Sequence, residues 1–216
     1  MSPRRSPRSL RRKTATRSPR ARLLVVCEGT VTEKQYLDGL KDHLRAIPVE
    51  VVDYECVGKG RDPHSTVELA IRLRDKAHRR ARAQRDAFLA YDAVWCVVDV
   101  DDHATLGSAL SLARRKGVNL VVSHPCFEVW LLLHFQELSA GTTRPEVVRK
   151  LQDHIKGCNK NIPVNFPFER HDLARQRALR ADPEHCEVNR IGGNPSTNVW
   201  LLVDAMKRSG KAGDRR

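Results

Sequence analysis

Residues 93–103 read AVWCVVDVDDH, and how that stretch ends decides what kind of protein this is. Ala93 to Val98 is an apolar run of the length and character that fills the middle of a parallel sheet. Three carboxylates, Asp99, Asp101 and Asp102, then arrive in quick succession. Like charges so close repel, and solvent, a basic neighbour or a metal ion must offset the repulsion.

Working outward, strand-like runs alternate with helical patterns. RLLVVCE (22–28) reads as a buried strand, and VEVVDYECV (49–57) as a second one nearer an edge, because polar residues alternate into it. GVNLVVSHP (117–125) supplies a further strand. Between them, TVTEKQYLDGLKDHLRAI (30–47) reads as a helix opened by a capping box of Thr30 and Glu33. Ser65 and Glu68 offer a second box before a long Arg-rich helix over 66–86. Helices are also expected near 104–115 and over FEVWLLLHF (127–135). This alternation predicts an α/β fold, a mostly parallel sheet flanked by helices. Beyond residue 140 the pattern is irregular and partly helical: a helix over 145–156, a loop over 157–170, and a closing helix over 195–208 with Pro195 at its first position.

The net charge is +13 over 216 residues, but it is unevenly spread. Residues 1–22 hold nine Lys/Arg and no acid, and residues 207–216 hold five Lys/Arg and one Asp, so the span between is neutral. We read 1–22 as a disordered basic tail with a repeated SPR unit, 23–206 as the folded domain, and 207–216 as a basic C-terminal tail. The N-terminal tail is either a phosphate binder or a solvated segment. It lacks the apolar core of a secretory signal, and no run of about 18 apolar residues marks a membrane span. The six cysteines are dispersed with no CxxC pair, which argues against a zinc ribbon or a disulfide scaffold and fits a reducing, cytoplasmic setting. Cys27, Cys56 and Cys96, in apolar runs, are expected to be small buried hydrophobes.

Ligands of parallel sheets bind beyond the carboxyl ends of the strands. Glu28, with Gly29 behind it to allow a tight turn and a close approach, falls at such an end, and so does Asp99. Asp99 and Asp101 project to one side of an extended strand end. With Glu28 they make an oxygen-rich set suited to Mg2+ or Mn2+. Asp102 either joins them or caps the following helix. Lys59 and Arg61 in the loop GKGRDPHS, and Arg72, Arg79, Arg82 and Arg85 on the basic helix, are candidates to guide an anionic substrate, or are solvated surface. His103 and His124 lie where a histidine can orient water or donate to a leaving oxygen. His134 reads as a hydrogen-bonded helix residue, and Trp95 and Trp130 read as core.

VVCEG followed by VVDVDD, at the ends of two strands in this order, resembles the Toprim pattern of a Glu after the first strand and a DxD after a later one. With SHPCFEVWLLLHF (123–135) and NPSTNV (194–199), the chain resembles the RloB-like family over about 23–206. The resemblance implies a Toprim-like, Rossmann-like fold and a metal-dependent nuclease role in anti-phage defence, often beside an ATPase partner. It assigns Glu28 as acid/base or metal ligand and Asp99 and Asp101 as metal ligands, and it adds Glu128, from the FE pair, as a further ligand. Glu128 could equally be a helix-dipole partner or a buried hydrogen-bonding group. The expectation is therefore a nuclease acting on DNA or RNA, with tRNA among the candidates. A non-catalytic nucleic-acid- or partner-binding subunit is the alternative. A topoisomerase- or primase-like role finds no supporting module.

Overall fold

The computed structural model describes residues 21–29, 31–46, 48–53, 62–100, 104–138, 141–155 and 161–211. A five-stranded sheet has the order β2-β1-β3-β4-β5. Strands β1 (Leu23–Cys27), β2 (Val49–Asp53), β3 (Ala93–Asp99) and β4 (Asn119–His124) are parallel, and the short β5 (Ser196–Thr197) pairs antiparallel with β4. The expected mostly parallel α/β sheet is thus what the chain forms, with β2 at an edge.

All five residues of β1 are buried because helices cover both faces. On one face Val25, Trp95, Val97 and Val121 pack with α1 (Thr32–Leu44), α4 (Glu128–Leu132), α5 (Arg144–His154), α6 (His171–Ala181) and α7 (Val199–Lys211). On the other, Leu24, Val26, Cys96, Val98 and Val122 pack with α2 (Pro63–Gln84) and α3 (Leu106–Lys116). The period of two in each strand divides the apolar residues between two cores. Trp95 and Trp130 are core, and Cys27 and Cys96 are buried as expected. Cys56 lies outside the described residues.

Helix starts differ from the reading of the sequence. Helix α1 begins at Thr32 with Val31 as N-cap and no side-chain cap bond; Thr30 lies outside the described residues. Helix α2 begins earlier than expected, at Pro63, because Asp62 is the cap. Its carboxylate accepts from the His64 and Ser65 N–H groups at 2.9 and 3.2 Å, so Ser65 lies inside the helix and forms no box with Glu68. The closing helix starts at Val199 rather than Pro195, because Ser196 and Thr197 are taken up in pairing with β4. Helix α6 was not foreseen: it buries only His171, Ala174 and Ala178, too small a face to register as an apolar stripe.

The outer edge of β4 is closed largely by asparagine amides. Asn189 Oδ1 accepts from Leu120 N–H at 2.9 Å while its own N–H donates to Leu120 O at 2.8 Å. Asn189 does this at φ 61°, a left-handed backbone that asparagine tolerates. Asn198 Oδ1 accepts from Val122 N–H at 2.6 Å, and its Nδ2 donates to Glu187 O at 2.7 Å. These bonds explain the NPSTN portion of the motif as an edge clamp. Asn198→Ala strands the buried Val122 N–H and gives up the bond to the Glu187 carbonyl, and about 1–3 kcal/mol of stability is expected to be lost, read as a fall in the denaturant midpoint. An unchanged midpoint would show that the clamp does not hold the edge.

Candidate active site

Backbone bonding brings the first two carboxylates together. Glu28 N–H donates to Val97 O at 3.0 Å, extending the β1–β3 ladder by one residue. Asp99 N–H in turn donates to Glu28 Oε2 at 3.2 Å. Both side chains sit at the carboxyl end of the sheet and are almost wholly buried, 8% exposed for Glu28 and 7% for Asp99.

Two more acids complete the cluster. Glu128 is the first residue of α4, and its Oε2 is buried without a hydrogen-bond partner among the described residues. Asp99 Oδ1 is orphaned in the same way. Glu33 folds back over the β1–α1 turn, so that a Cβ on Gly29 would lie 2.1 Å from its Oε1. No positive φ requires glycine at position 29; it is there so that the Glu33 carboxylate can approach the turn. Burial, then the negative charges of Glu33, Glu128 and Glu28, push the Asp99 carboxyl well above the usual carboxylate range. The buried Cys126 thiol is likewise pushed up, by burial first and then by Glu128 and Asp99.

Among the described residues, a cation faces this charge. Arg144 Nη2 lies 3.9 Å from Asp99 Oδ2, with the arginine side chain 49% exposed. Arg144 opens α5, whose start is set by a capping box: Thr143 N–H donates to Glu146 Oε2 at 2.8 Å. The guanidinium offsets part of the upward shift of Asp99 but leaves it large.

The structure therefore gathers Glu28, Asp99 and Glu128 from the expected set. Asp101, Asp102, His103, Lys59 and Arg61 lie outside the described residues. His124 sits at the end of β4 with its Nδ1 bonded to Gly192 O at 3.2 Å, on the side away from β1. Arg72, Arg79, Arg82 and Arg85 are exposed along α2. His134 is a buried helix-end residue bonded to Tyr36 Oη and Trp130 O. Reading the sequence missed Glu33, taken for a cap, and Arg144 and Cys126. Only Cys126 carried a local signal, its place inside SHPCFE.

Among the described residues no three Asp, Glu, His or Cys side chains are gathered tightly enough to hold a metal ion as they stand. In donor chemistry the cluster does fit a hard divalent cation. It is all carboxylate oxygen, two of those oxygens are buried and orphaned, and one half-exposed arginine is the cation seen against Asp99. Gly29→Ala displaces only the flexible end of Glu33, so the fold is expected to survive while Mn2+ affinity falls by about 10–100-fold, as read by calorimetry beside circular dichroism. Unchanged affinity would remove Glu33 from the site.

Comparison with curated proteins and with solved structures finds no significant match. The family model described as RloB-like protein matches residues 23–206. No helix among the described residues is long and apolar enough to cross a membrane. The match spans the sheet, both cores and every member of the carboxylate cluster, and the chain belongs to the RloB-like family.

Proposed function

We propose that this chain is a Toprim-like, divalent-metal-dependent nuclease that hydrolyses phosphodiester bonds of DNA or RNA at the carboxyl end of its sheet. The observation that carries the reading is Asp99: buried, crowded by three other acids, and with one carboxylate oxygen that has no hydrogen-bond partner among the described residues. A structural carboxylate would be bonded or solvated, and the cost of leaving one orphaned is acceptable where a ligand completes it. Asp99, Glu28 and Glu128, with Asp101 and Asp102, are the residues that would hold Mg2+ or Mn2+. When bound, the ion neutralises charge on the non-bridging phosphate oxygens and lowers the pKa of water.

The chain's own groups supply the rest. Glu28, held in orientation by the Asp99 N–H, accepts the proton of the attacking water. Glu33 stands over the turn and keeps water ordered on that side. Arg144, half-exposed and facing Asp99, pairs with a non-bridging oxygen of the phosphate and draws the backbone onto a rim that its carboxylates alone would repel. The family resemblance supports a cytoplasmic setting, a role in anti-phage defence and an ATPase partner.

Incubating the full chain with structured RNA and with duplex DNA, in Mn2+ or in EDTA, tests the reading. Metal-dependent shortening of either substrate is expected. Intact substrates in every condition would favour the alternative of a non-catalytic binding subunit.

A further inference from the structure

We propose that the edge of the sheet opposite the carboxylates is a docking surface for the phosphate backbone of a nucleic acid duplex. Topology sets the two apart. Each parallel strand ends at the carboxylate rim, so each helix that follows starts there and runs back to the other edge. Helix α2, with 22 residues, is about 33 Å long, and its last turns therefore lie at the far edge, where β3 begins.

Those turns carry five Lys/Arg and no acid between residues 76 and 85: Lys76, Arg79, Arg80, Arg82 and Arg85, all exposed. None has an ion-pair partner among the described residues, whereas Glu68 and Asp75, earlier in the helix, are paired with His64 and Arg74. Spacings of three and four residues place these cations as neighbours on one face, about 5–6 Å apart. Past Asp86, whose carboxylate accepts from the Phe88 N–H, comes Phe88 itself, 71% exposed, one of the few large apolar side chains left in water. Helix α3 ends at the same edge with Arg114, Arg115 and Lys116, tied to α2 by a bond from Arg74 to Lys116 O.

The described ends of the chain lie at this edge too. Ser209 Oγ donates to Ala21 O at 2.6 Å, joining the end of α7 to the residue that precedes β1. Gly210 lies close enough to the end of α1 that a Cβ would meet Leu44 O at 2.6 Å. The neutral span 23–206 thus gathers unpaired cations at the edge away from the carboxylates, where Asp86 is held by the Phe88 N–H and Glu50 by Arg22. A run of cations with no acid inside it suits a phosphate backbone better than a protein surface of mixed charge, and Phe88 offers a ring to a ribose. The surface acts independently of hydrolysis, because none of its residues touches the carboxylates.

The test is anisotropy of a short fluorescein-labelled duplex with the full chain, titrated over roughly 50–200 mM salt. Arg79, Arg80 and Arg82 are reversed together to Glu; all three are exposed, and circular dichroism checks the fold. Affinity is expected to fall at least tenfold, and the slope of log K against log salt to flatten by about 2–3. Arg149→Glu, an exposed cation of α5 on the other face of the sheet, is the charge control and is expected to weaken binding far less. An unchanged Kd and slope in the triple variant would overturn the proposal. So would equal weakening per reversed charge in the control, which would show a general charge effect rather than a docking surface. Absence of cleavage with binding intact would count against the nuclease reading alone.

Discussion

Asp99→Asn is expected to abolish Mn2+ binding, to lower metal-dependent cleavage by at least about 100-fold, and to make the metal-free protein more stable at neutral pH. The first two effects follow from removing a ligand, given that loss of a mere supporting residue costs about 10–100-fold. The third follows from the direction of its pKa. Burial and the charges of Glu33, Glu128 and Glu28 raise the native carboxyl above its unfolded value, which is near 3.9. The native state then holds the proton more tightly than the unfolded chain. The stability this confers is fully present below about pH 4 and is lost as pH rises through the native value. At pH 7.5, well above the unfolded value, the wild type in EDTA has therefore lost stability that the uncharged amide of the variant keeps. Adding Mn2+ at about 100 times Kd stabilises by about 2.7 kcal/mol, or about 5–10 °C for a domain of this size. The expected pattern in thermal melts is a variant with the higher Tm in EDTA and no response to Mn2+, beside a wild type that responds. A Tm that rises equally in both proteins would show that the ion binds without Asp99.

Acid is expected to unfold this protein through a buried histidine rather than through the carboxylates. His134 is fully buried, bonded through Nε2 to Tyr36 Oη at 3.2 Å and through Nδ1 to Trp130 O at 3.0 Å, and ringed by Trp130, Phe166 and Tyr36. Burial holds its pKa down at about 3, with the positive charges of His171 and Arg177 acting in the same direction. The native state thus refuses a proton that the unfolded chain accepts near pH 6.5. This contribution is complete above about pH 6.5 and is lost progressively as pH falls toward 3, at up to about 1.4 kcal/mol per pH unit. His171 and His185 are also lowered, chiefly by burial, and steepen the loss. Denaturant midpoints measured from pH 7 to pH 4 are expected to fall by the equivalent of about 3 kcal/mol or more. His134→Gln, which keeps polar atoms but does not titrate, is expected to start lower and to fall less steeply. A variant with the wild-type slope would show that acid acts elsewhere.

Much of the fold was legible because each parallel strand is a near-continuous apolar run bounded by helical periodicity. Glu28 and Asp99 were legible for the same reason, since a parallel sheet puts the ends of β1 and β3 side by side. The rest of the site was hidden by its physics. Glu33 follows Thr30 at the spacing of a capping box, and only the close approach over Gly29 shows that the carboxylate points elsewhere. Arg144 meets Asp99 across many residues of sequence, a contact no local pattern encodes. Helix boundaries slipped where a single side chain decided them, as Asp62 did for α2. Helix α6, with alanines on its buried face, had no stripe to read.

The asparagine clamp on β4 also governs how copies of this chain can aggregate. With Leu120 and Val122 already bonded to Asn189 and Asn198, and β5 only two residues long, that side of the sheet offers little to an incoming strand. On the opposite side, no strand among the described residues pairs with the outer side of β2, and Glu50 is exposed on it. A sheet with one blunted and one open edge cannot propagate as a fibre, because growth needs two. Two copies meeting β2 to β2 around a two-fold axis would close on themselves and stop, so the amides that finish this sheet also cap any self-association through it at the dimer.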